Sequence, residues 1–162
     1  VAWGDPYDGE VPHHDVVALA ERAAAAGADE VALGDTIGVA VPATVSTLLG
    51  ALREAVPSLP LRCHFHNTRQ TGLANVVAAR ESGITVFDTS VGGIGGSPFA
   101  PNAGGNVATE DLLFLLARSG LEAGVDYGAT VAAARWLEKR LGHVLPGSAH
   151  KLDPWPEPAP RP

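Results

Sequence analysis

Residues 84–96 read ITVFDTSVGGIGG, a β-branched strand that runs directly into a glycine-rich turn. Three other segments share this design, in which apolar residues end at a polar residue before a turn. They are Val1–Gly4, Glu30–Gly34 and Leu61–His66, and the fourth strand extends as Ile84–Ser90. The strand starts recur roughly every 25–30 residues, a spacing typical of βαβ units. The sequence therefore predicts an α/β fold with a parallel sheet.

Helical patterns fill the intervals between these strands and continue after the fourth. Glycine or proline follows several of them, which is where a helix is expected to end. The predicted helices are Asp15–Ala26, Val45–Val56, Leu73–Ser82, Thr109–Ser119 (with Thr109 as N-cap) and Tyr127–Leu141. Four strand–helix units followed by extra C-terminal helices are the expected organisation.

Two architectures fit this order of elements. A small doubly wound domain normally places its glycine-rich phosphate loop after the first strand. Here the glycine loop, Gly92–Gly105, follows the fourth strand, where a (β/α)₈ barrel often keeps an anion-binding loop. Both architectures remain open on organisation alone. Residues 1–143 contain these strand–helix units and form one predicted domain, and residues 144–162 form a proline-rich C-terminal tail.

Composition excludes several classes of protein. Of the 162 residues, 46% are hydrophobic and 18% are charged, which predicts a folded chain. The net charge of −7 disfavours nucleic acids and anionic membranes as partners, and no apolar stretch is long enough to span a bilayer. No secretory leader follows Val1, and an internal start within a longer reading frame is expected. The single cysteine, Cys63, excludes an intrachain disulfide and fits a cytoplasmic location.

The sharpest chemical signal is the pair His64 and His66. Side chains alternate along a strand, so both imidazoles are expected on one face, with Cys63 and Phe65 on the other. Two imidazoles at the carboxyl end of a parallel strand can hold one divalent metal, and Zn²⁺ would suit them as well as Mg²⁺ or Mn²⁺. Two structural histidines bonded to backbone or carboxylate are the alternative.

Other polar groups also fall at strand ends or in the glycine loop. Asp35 ends the second strand, where barrel enzymes place catalytic groups, but an aspartate there can equally form a turn or cap a helix. Asn106 closes the glycine loop and precedes a helix, so a cap region is its alternative role. The loop itself can bring backbone N–H groups close to an anion or a substrate.

Taken together, the motifs resemble one family of metal-dependent lyases and Claisen-type synthases that share a (β/α)₈ barrel. It includes 3-hydroxy-3-methylglutaryl-CoA lyase, isopropylmalate and homocitrate synthases, and transcarboxylase domains. The resemblance extends from about Val1 to Leu141 and is closest to the lyase branch. It rests on Trp3–Gly9, Leu33–Gly38, His64–Asn67, Asp88–Val91, Gly93–Gly96 and Ser97–Leu112.

The resemblance implies a fold, a reaction and roles for particular residues. The chain would be the C-terminal half of a (β/α)₈ TIM barrel, with strands 5 to 8. It would cleave a branched 3-hydroxyacyl-CoA to acetyl-CoA and a keto acid such as acetoacetate, using Mg²⁺ or Mn²⁺ in preference to Zn²⁺. The implied metal ligands are His64, His66 and Asn106, the implied catalytic residues are Asp35, His64 and Ser97, and the implied substrate-binding residues are Thr36, Gly95 and Gly96.

The chain departs from the family pattern in two ways. Ser97 stands where the lyases carry a loop cysteine, and the first strand, with its acidic ligand beside an arginine, has no counterpart. A lone half-barrel would expose unpaired strand edges, so the missing half or a second copy of the chain is an expected partner, beside the acyl-CoA substrate. The alternatives are a Claisen-type acyltransferase and a catalytically inactive half-barrel.

Overall fold

The computed structural model describes residues 1–96 and 104–152, which fall into two compact units. Among these residues, unit 1 contains 1–89, 95–96 and 104–106, and unit 2 contains 90–94 and 107–152. The strands and helices in chain order are β1 (Gly4–Asp5), β2 (Gly9–Glu10), α1 (His13–Ala25), β3 (Val31–Asp35), α2 (Pro42–Ala55), β4 (Leu61–Phe65), α3 (Gly72–Glu81), β5 (Phe87–Asp88), α4 (Thr109–Arg118) and α5 (Tyr127–Leu141).

Unit 1 is organised by a parallel sheet in the order β3-β4-β5. Gly34 pairs with His64, and His64 in turn pairs with Asp88. Paired residues project from the same face of a sheet, so these three positions form one row across it. The predicted parallel sheet is confirmed for these strands. The fourth strand is shorter than predicted, because only Phe87 and Asp88 form ladder pairs with β4.

The predicted strand Val1–Gly4 is wrong. Gly4 and Asp5 instead pair antiparallel with Gly9 and Glu10 in a short hairpin. The Asp5 Oδ1 atom causes this turn, because it accepts the backbone N–H groups of Tyr7 at 2.8 Å and Asp8 at 3.1 Å. The segment contacts the sheet through a bond from the Ala2 N–H to the carbonyl of Gly34 at 2.9 Å.

The core of unit 1 lies between α2 and the helix-facing side of the sheet. Four apolar residues at helical spacing on α2 have no exposed surface: Val45, Leu48, Leu49 and Leu52. Cys63 and Phe65 are buried on β4, as their alternation with the histidines predicted. The helix starts at Pro42, three residues before the predicted start, because proline suits the first helical position.

Unit 2 is built on α4 and α5. The predicted span of α5 is confirmed, since Asp126 accepts the N–H of Ala129 at its start and Gly142 ends it in the left-handed conformation. The prediction that Thr109 caps α4 is wrong. Thr109 is the first helical residue, and Ala108 occupies the cap position without a side-chain bond.

Part of the segment assigned to the tail packs onto these helices. Leu145 and His150 are buried, and the Asp111 carboxylate accepts the N–H groups of Ser148 and Ala149. Residues 153–162 lie outside the described part of the chain, so the boundary at 143 stays a prediction. Within residues 1–96 and 104–152 there is no helix with the length and apolarity that a membrane crossing requires.

Candidate metal and substrate site

Strand β4 brings two imidazoles together at its carboxyl end. The ring centroids of His64 and His66 are 5.0 Å apart, with the planes close to perpendicular. Cys63 and Phe65 are buried on the opposite side. The prediction that both histidines share one face is therefore confirmed. Burial raises the pKa of the Cys63 thiol to about 12, with a smaller contribution from Asp88, so this thiol is inert at neutral pH.

A backbone contact fixes the orientation of the His66 ring. Its Nδ1 atom lies 2.9 Å from the carbonyl oxygen of Asp35, and the side chain is only 5% exposed. A carbonyl oxygen only accepts hydrogen bonds, so Nδ1 must carry a proton. The lone pair of the neutral ring is then on Nε2, which is the arrangement found in metal-binding histidines whose second nitrogen bonds to a carbonyl.

Asn106 joins the two histidines through backbone and side-chain contacts. It forms an isolated antiparallel bridge with His66, and the Asn67 N–H donates to the carbonyl of Gly105 at 2.9 Å. The Asn106 side chain lies close enough to His64 to affect the pKa of that imidazole. The cap position of α4 is occupied by Ala108 rather than by Asn106. The three residues that the resemblance implied as ligands therefore lie together in unit 1.

The electrostatic environment favours the neutral form of His64. Burial lowers the pKa of this imidazole most, followed by repulsion from a protonated His66. Asp88, Asn106 and Asp35 act in the opposite direction and only partly offset this lowering of the pKa. A lowered pKa means that His64 loses its proton at a lower pH than an ordinary histidine, which leaves a nitrogen lone pair available for a metal.

Gly95 lies directly against the Asn106 amide. Its φ is +95°, and a Cβ atom at this position would be 2.9 Å from the Asn106 Nδ2 atom. Any other residue would therefore be strained and would displace the candidate ligand. The N–H of Gly105 donates to the carbonyl of Gly95 at 3.0 Å, which joins the two ends of the glycine loop. Gly96 follows and is exposed.

The Asp35 carboxylate is used in local backbone contacts. Its Oδ1 atom accepts the N–H groups of Val39 at 2.9 Å and Ala40 at 3.2 Å. Asp35 pairs with Phe65 in the sheet, so its side chain leaves the sheet opposite to the two imidazoles. Burial raises its pKa despite these bonds. Turn formation, the alternative role of Asp35, matches this geometry, and its acid–base role stays a prediction.

The remaining candidate residues stand apart from these contacts. Thr36 is half-buried immediately after β3. Ser97 lies outside the described residues, and its assignment as a catalytic residue stays a prediction. The roles of Thr36, Gly95 and Gly96 in substrate binding also stay predictions.

The donor set fits a divalent cation that accepts mixed nitrogen and oxygen ligands. In the described part of the chain, no group of three His, Cys, Asp or Glu side chains could hold a metal ion. A third ligand from the described residues would therefore be of another type, and Asn106 supplies an amide oxygen. A hard cation such as Mg²⁺ would take further oxygen ligands from substrate, water or residues beyond this chain.

Three polar residues that support the site were missed at the sequence level. The Arg69 guanidinium donates to the carbonyl of Ile37 at 2.7 Å, and the Thr68 hydroxyl donates to that of Gly104 at 3.0 Å. Asn75, on α3, is fully buried and donates to the carbonyl of Ala40 at 2.8 Å. Thr68 and Arg69 lie in the segment that follows the carboxyl end of β4, and this position could have identified them from the sequence. No sequence feature pointed to Asn75, because a single polar residue in a helix is usually exposed.

Known proteins of similar sequence are lyases of acyl-CoA compounds. The family model described as HMGL-like matches residues 1–137. The chain is 46% identical over 153 residues to (R)-citramalyl-CoA lyase of Chloroflexus aurantiacus, covering 94% of this chain and 48% of that protein. It is 45% identical over 144 residues to hydroxymethylglutaryl-CoA lyase YngG of Bacillus subtilis, covering 89% and 48% respectively.

Solved structures that resemble this chain include HMG-CoA lyases. An HMG-CoA lyase from Acinetobacter baumannii, in complex with coenzyme A and 3-methylmalate, has a TM-score of 0.93 at 36% identity, covering 99% of this chain and 53% of that one. The Bacillus subtilis HMG-CoA lyase has a TM-score of 0.87 at 43% identity, covering 93% and 50%.

The chain spans about half the length of the curated relatives it matches. These structural neighbours are TIM barrels, so the prediction of half a (β/α)₈ barrel is confirmed over a doubly wound domain. With a match over residues 1–137 and this degree of identity, the chain belongs to the HMGL-like family.

Proposed function

We propose that the protein containing this chain is a divalent-metal-dependent carbon–carbon lyase. Its substrate would be a branched 3-hydroxyacyl-CoA such as 3-hydroxy-3-methylglutaryl-CoA, and its products acetyl-CoA and a keto acid such as acetoacetate. The observation that carries this proposal is the joint placement of His64, His66 and Asn106 on one side of β4. Relatives named as lyases favour this reaction over the Claisen-type condensation.

The proposal includes the partner and the location of the enzyme. The other half of the barrel would come from the same reading frame or from a second copy of the chain, because parallel strand edges and an apolar barrel interior require cover. A cytoplasmic location, expected from the single Cys63, belongs to the proposal as well.

His64, His66 and Asn106 would hold Mg²⁺ or Mn²⁺, with Zn²⁺ as the weaker candidate. Bound there, the cation would supply Lewis-acid polarisation of substrate oxygens. The protein's contribution is orientation. Because the Nδ1 proton of His66 is committed to the Asp35 carbonyl, only Nε2 can face a ligand. Because Gly95 has no side chain, its backbone can lie directly against the Asn106 amide.

Cleavage requires two proton transfers. A base removes the proton of the tertiary hydroxyl, the carbon–carbon bond breaks with its electron pair on the acyl-CoA carbon, and that carbon then takes a proton. Asp35 could act as the base only by leaving the N–H groups of Val39 and Ala40. A carboxylate from the other half of the barrel is the alternative base. Ser97, or a water that it binds, is one candidate within this chain for the second transfer, and His64 is the other, although a metal-bound imidazole is a poor proton shuttle.

The test is an assay on the protein expressed from its full reading frame. We expect release of acetyl-CoA from 3-hydroxy-3-methylglutaryl-CoA or from citramalyl-CoA, dependent on added Mg²⁺ or Mn²⁺ and abolished by a chelator. Because both substrates release acetyl-CoA, each is assayed separately and the keto acid formed identifies which one is cleaved. The reverse direction with a 2-oxo acid and acetyl-CoA tests the condensation. Metal-independent cleavage, or condensation alone, would refute the proposal.

Ser97→Cys is expected to raise lyase turnover in the same full-length protein. A thiol titrates near pH 8.5, so it exchanges a proton at neutral pH far more readily than an aliphatic hydroxyl does. The gain should appear in kcat for 3-hydroxy-3-methylglutaryl-CoA. Ser97→Ala is the matched variant, and it should lower turnover if the hydroxyl or its water acts in the proton step. A flat response of both variants would remove residue 97 from the mechanism.

A further inference from the structure

Three polar side chains are buried in unit 1 among the residues that the structure describes. Asp35 is 1% exposed, His66 is 5% exposed and Asn75 is 0% exposed. Buried polar groups are costly unless they are hydrogen-bonded. The metal site explains the burial of His66 only. Neither the proposed chemistry nor the packing of apolar residues requires an asparagine inside the contact of α3 with the segment after β3.

The three side chains are linked by successive hydrogen bonds through one stretch of backbone. Asn75 Nδ2 donates to the Ala40 carbonyl at 2.8 Å. The N–H of Ala40 donates to the Asp35 carboxylate, with distances of 3.2 and 3.3 Å to its two oxygens. His66 Nδ1 then donates to the Asp35 carbonyl at 2.9 Å. The chain of contacts therefore runs from α3 to the imidazole.

We propose that Asn75 is a positioning residue for His66, acting through Ala40 and Asp35. The inference rests on the proposed metal-binding function of His66. Asn75 binds the Ala40 carbonyl, and the Ala40 N–H in the adjacent peptide unit binds the Asp35 carboxylate. The backbone carbonyl of Asp35 in turn accepts the hydrogen bond from His66 Nδ1. The Asp35 carbonyl then selects the tautomer of His66 that leaves Nε2 free for a ligand.

Burial makes this contact hard to replace. Ala40 is 0% exposed, so water has no access to its carbonyl if the Asn75 amide is removed. An unsatisfied buried carbonyl is relieved by movement of its peptide. That movement would disturb the Ala40 N–H bond to Asp35 as well, because the two groups lie in adjacent peptide units. The disturbance would reach His66 without any change in the ring's immediate neighbours.

A purely structural role for Asn75 is the competing explanation. Asn75 lies on α3, which packs against α2, and its loss would lower stability in either case. Ser82→Ala supplies a matched control, because the Ser82 hydroxyl donates to the Ala78 carbonyl at 2.9 Å at the far end of α3. That variant also loses one side-chain-to-backbone bond, but it has no link to Asp35.

The experiment compares Asn75→Ala with Ser82→Ala in the protein expressed from its full reading frame. The first readout is the ¹⁵N chemical shift pair of the His66 ring without metal, which reports the tautomer. We expect the Nδ1–H form in the wild type and in Ser82→Ala, and a mixture in Asn75→Ala. The second readout is Mn²⁺ affinity by electron paramagnetic resonance, which should weaken about tenfold in Asn75→Ala only.

Two further variants keep the test decisive. Asn75→Ser creates a smaller cavity and replaces Asn75→Ala if that variant does not fold. Asp35→Ala removes the carboxylate that links Ala40 to Asp35 but keeps the carbonyl that contacts His66, so adding Asn75→Ala to it should weaken Mn²⁺ binding little further. Unchanged tautomer and affinity in folded Asn75 variants overturn the inference. Absence of Mn²⁺ binding by the wild type instead overturns the proposed metal site, while the ring shifts still report on Asn75.

Discussion

His66→Ala is expected to remove most of the bound divalent metal from the full-length protein. Loss of an outer partner of a ligating histidine typically weakens metal binding by about 10- to 100-fold, and loss of the ligand itself should exceed that. The prediction rests on the His66 ring, whose tautomer is set by Asp35 and whose neighbours are His64 and Asn106. Elemental analysis after gel filtration measures the occupancy, and turnover should fall with it.

An exposed histidine provides the control for this result. The His14 side chain is 82% exposed and contacts only Asp15, at 3.3 Å, among the ion pairs of the described residues. His14→Ala should keep the wild-type metal content, which excludes non-specific binding to imidazole. Circular dichroism is the check that His66→Ala remains folded. Metal content equal to that of the wild type in folded His66→Ala would contradict the assignment of His66 as a ligand.

Much of the fold could be predicted because burying one face of a helix or strand requires apolar residues at a regular spacing in the sequence. The predicted limits of α5 agree with the positions of Asp126 and Gly142, residue types that commonly mark helix ends. Strand β4 was predicted to within one residue, because a central strand must be apolar on its helix-facing side. These features depend on neighbours in sequence, which is why they could be read directly.

The first strand could not be predicted in the same way. The apolar residues of Val1–Gly4 look like a strand, but the Asp5 side chain bonds to the N–H groups of Tyr7 and Asp8 and turns the chain into a hairpin. The Ala2 N–H still bonds to the carbonyl of Gly34 in the sheet. A local side-chain contact thus overrode a correct hydrophobic pattern.

The candidate site likewise contains some features that could be predicted from local sequence and others that depend on tertiary contacts. The shared face of His64 and His66 followed from strand alternation, whereas the approach of Asn106 depends on closure of the glycine loop by the bond between Gly105 and Gly95. That closure is a tertiary contact, and family resemblance rather than residue periodicity pointed to it. The orientation of Asp35 was in principle readable, because it lies two positions after Leu33, which faces the helices.

A second large effect is expected in unit 2, where His150 lies between two carboxylates. Its Nδ1 atom is 2.8 Å from Glu110 Oε1, and its Nε2 atom is 3.2 Å from Glu138 Oε2. The side chains of Glu110 and His150 are 0% and 1% exposed, whereas that of Glu138 is 32% exposed. Glu110 also accepts the N–H of Gly92 at 3.0 Å. This cluster joins α4, α5 and the segment after them.

His150→Ala should destabilise unit 2 by about 3–5 kcal/mol, because the Glu110 carboxylate would be left buried without its partner. Adding Glu110→Gln to His150→Ala removes the uncompensated charge and keeps an oxygen for the Gly92 N–H, so the double variant should recover part of the loss. Glu138→Gln is the matched control and should have a much smaller effect, since the surrounding water can replace that contact. Hydrogen exchange of the Leu113 and Val131 amides, followed in urea, reports the stability of unit 2 directly. If the double variant is no more stable than His150→Ala alone, the lost stability comes from the cavity rather than from the buried charge.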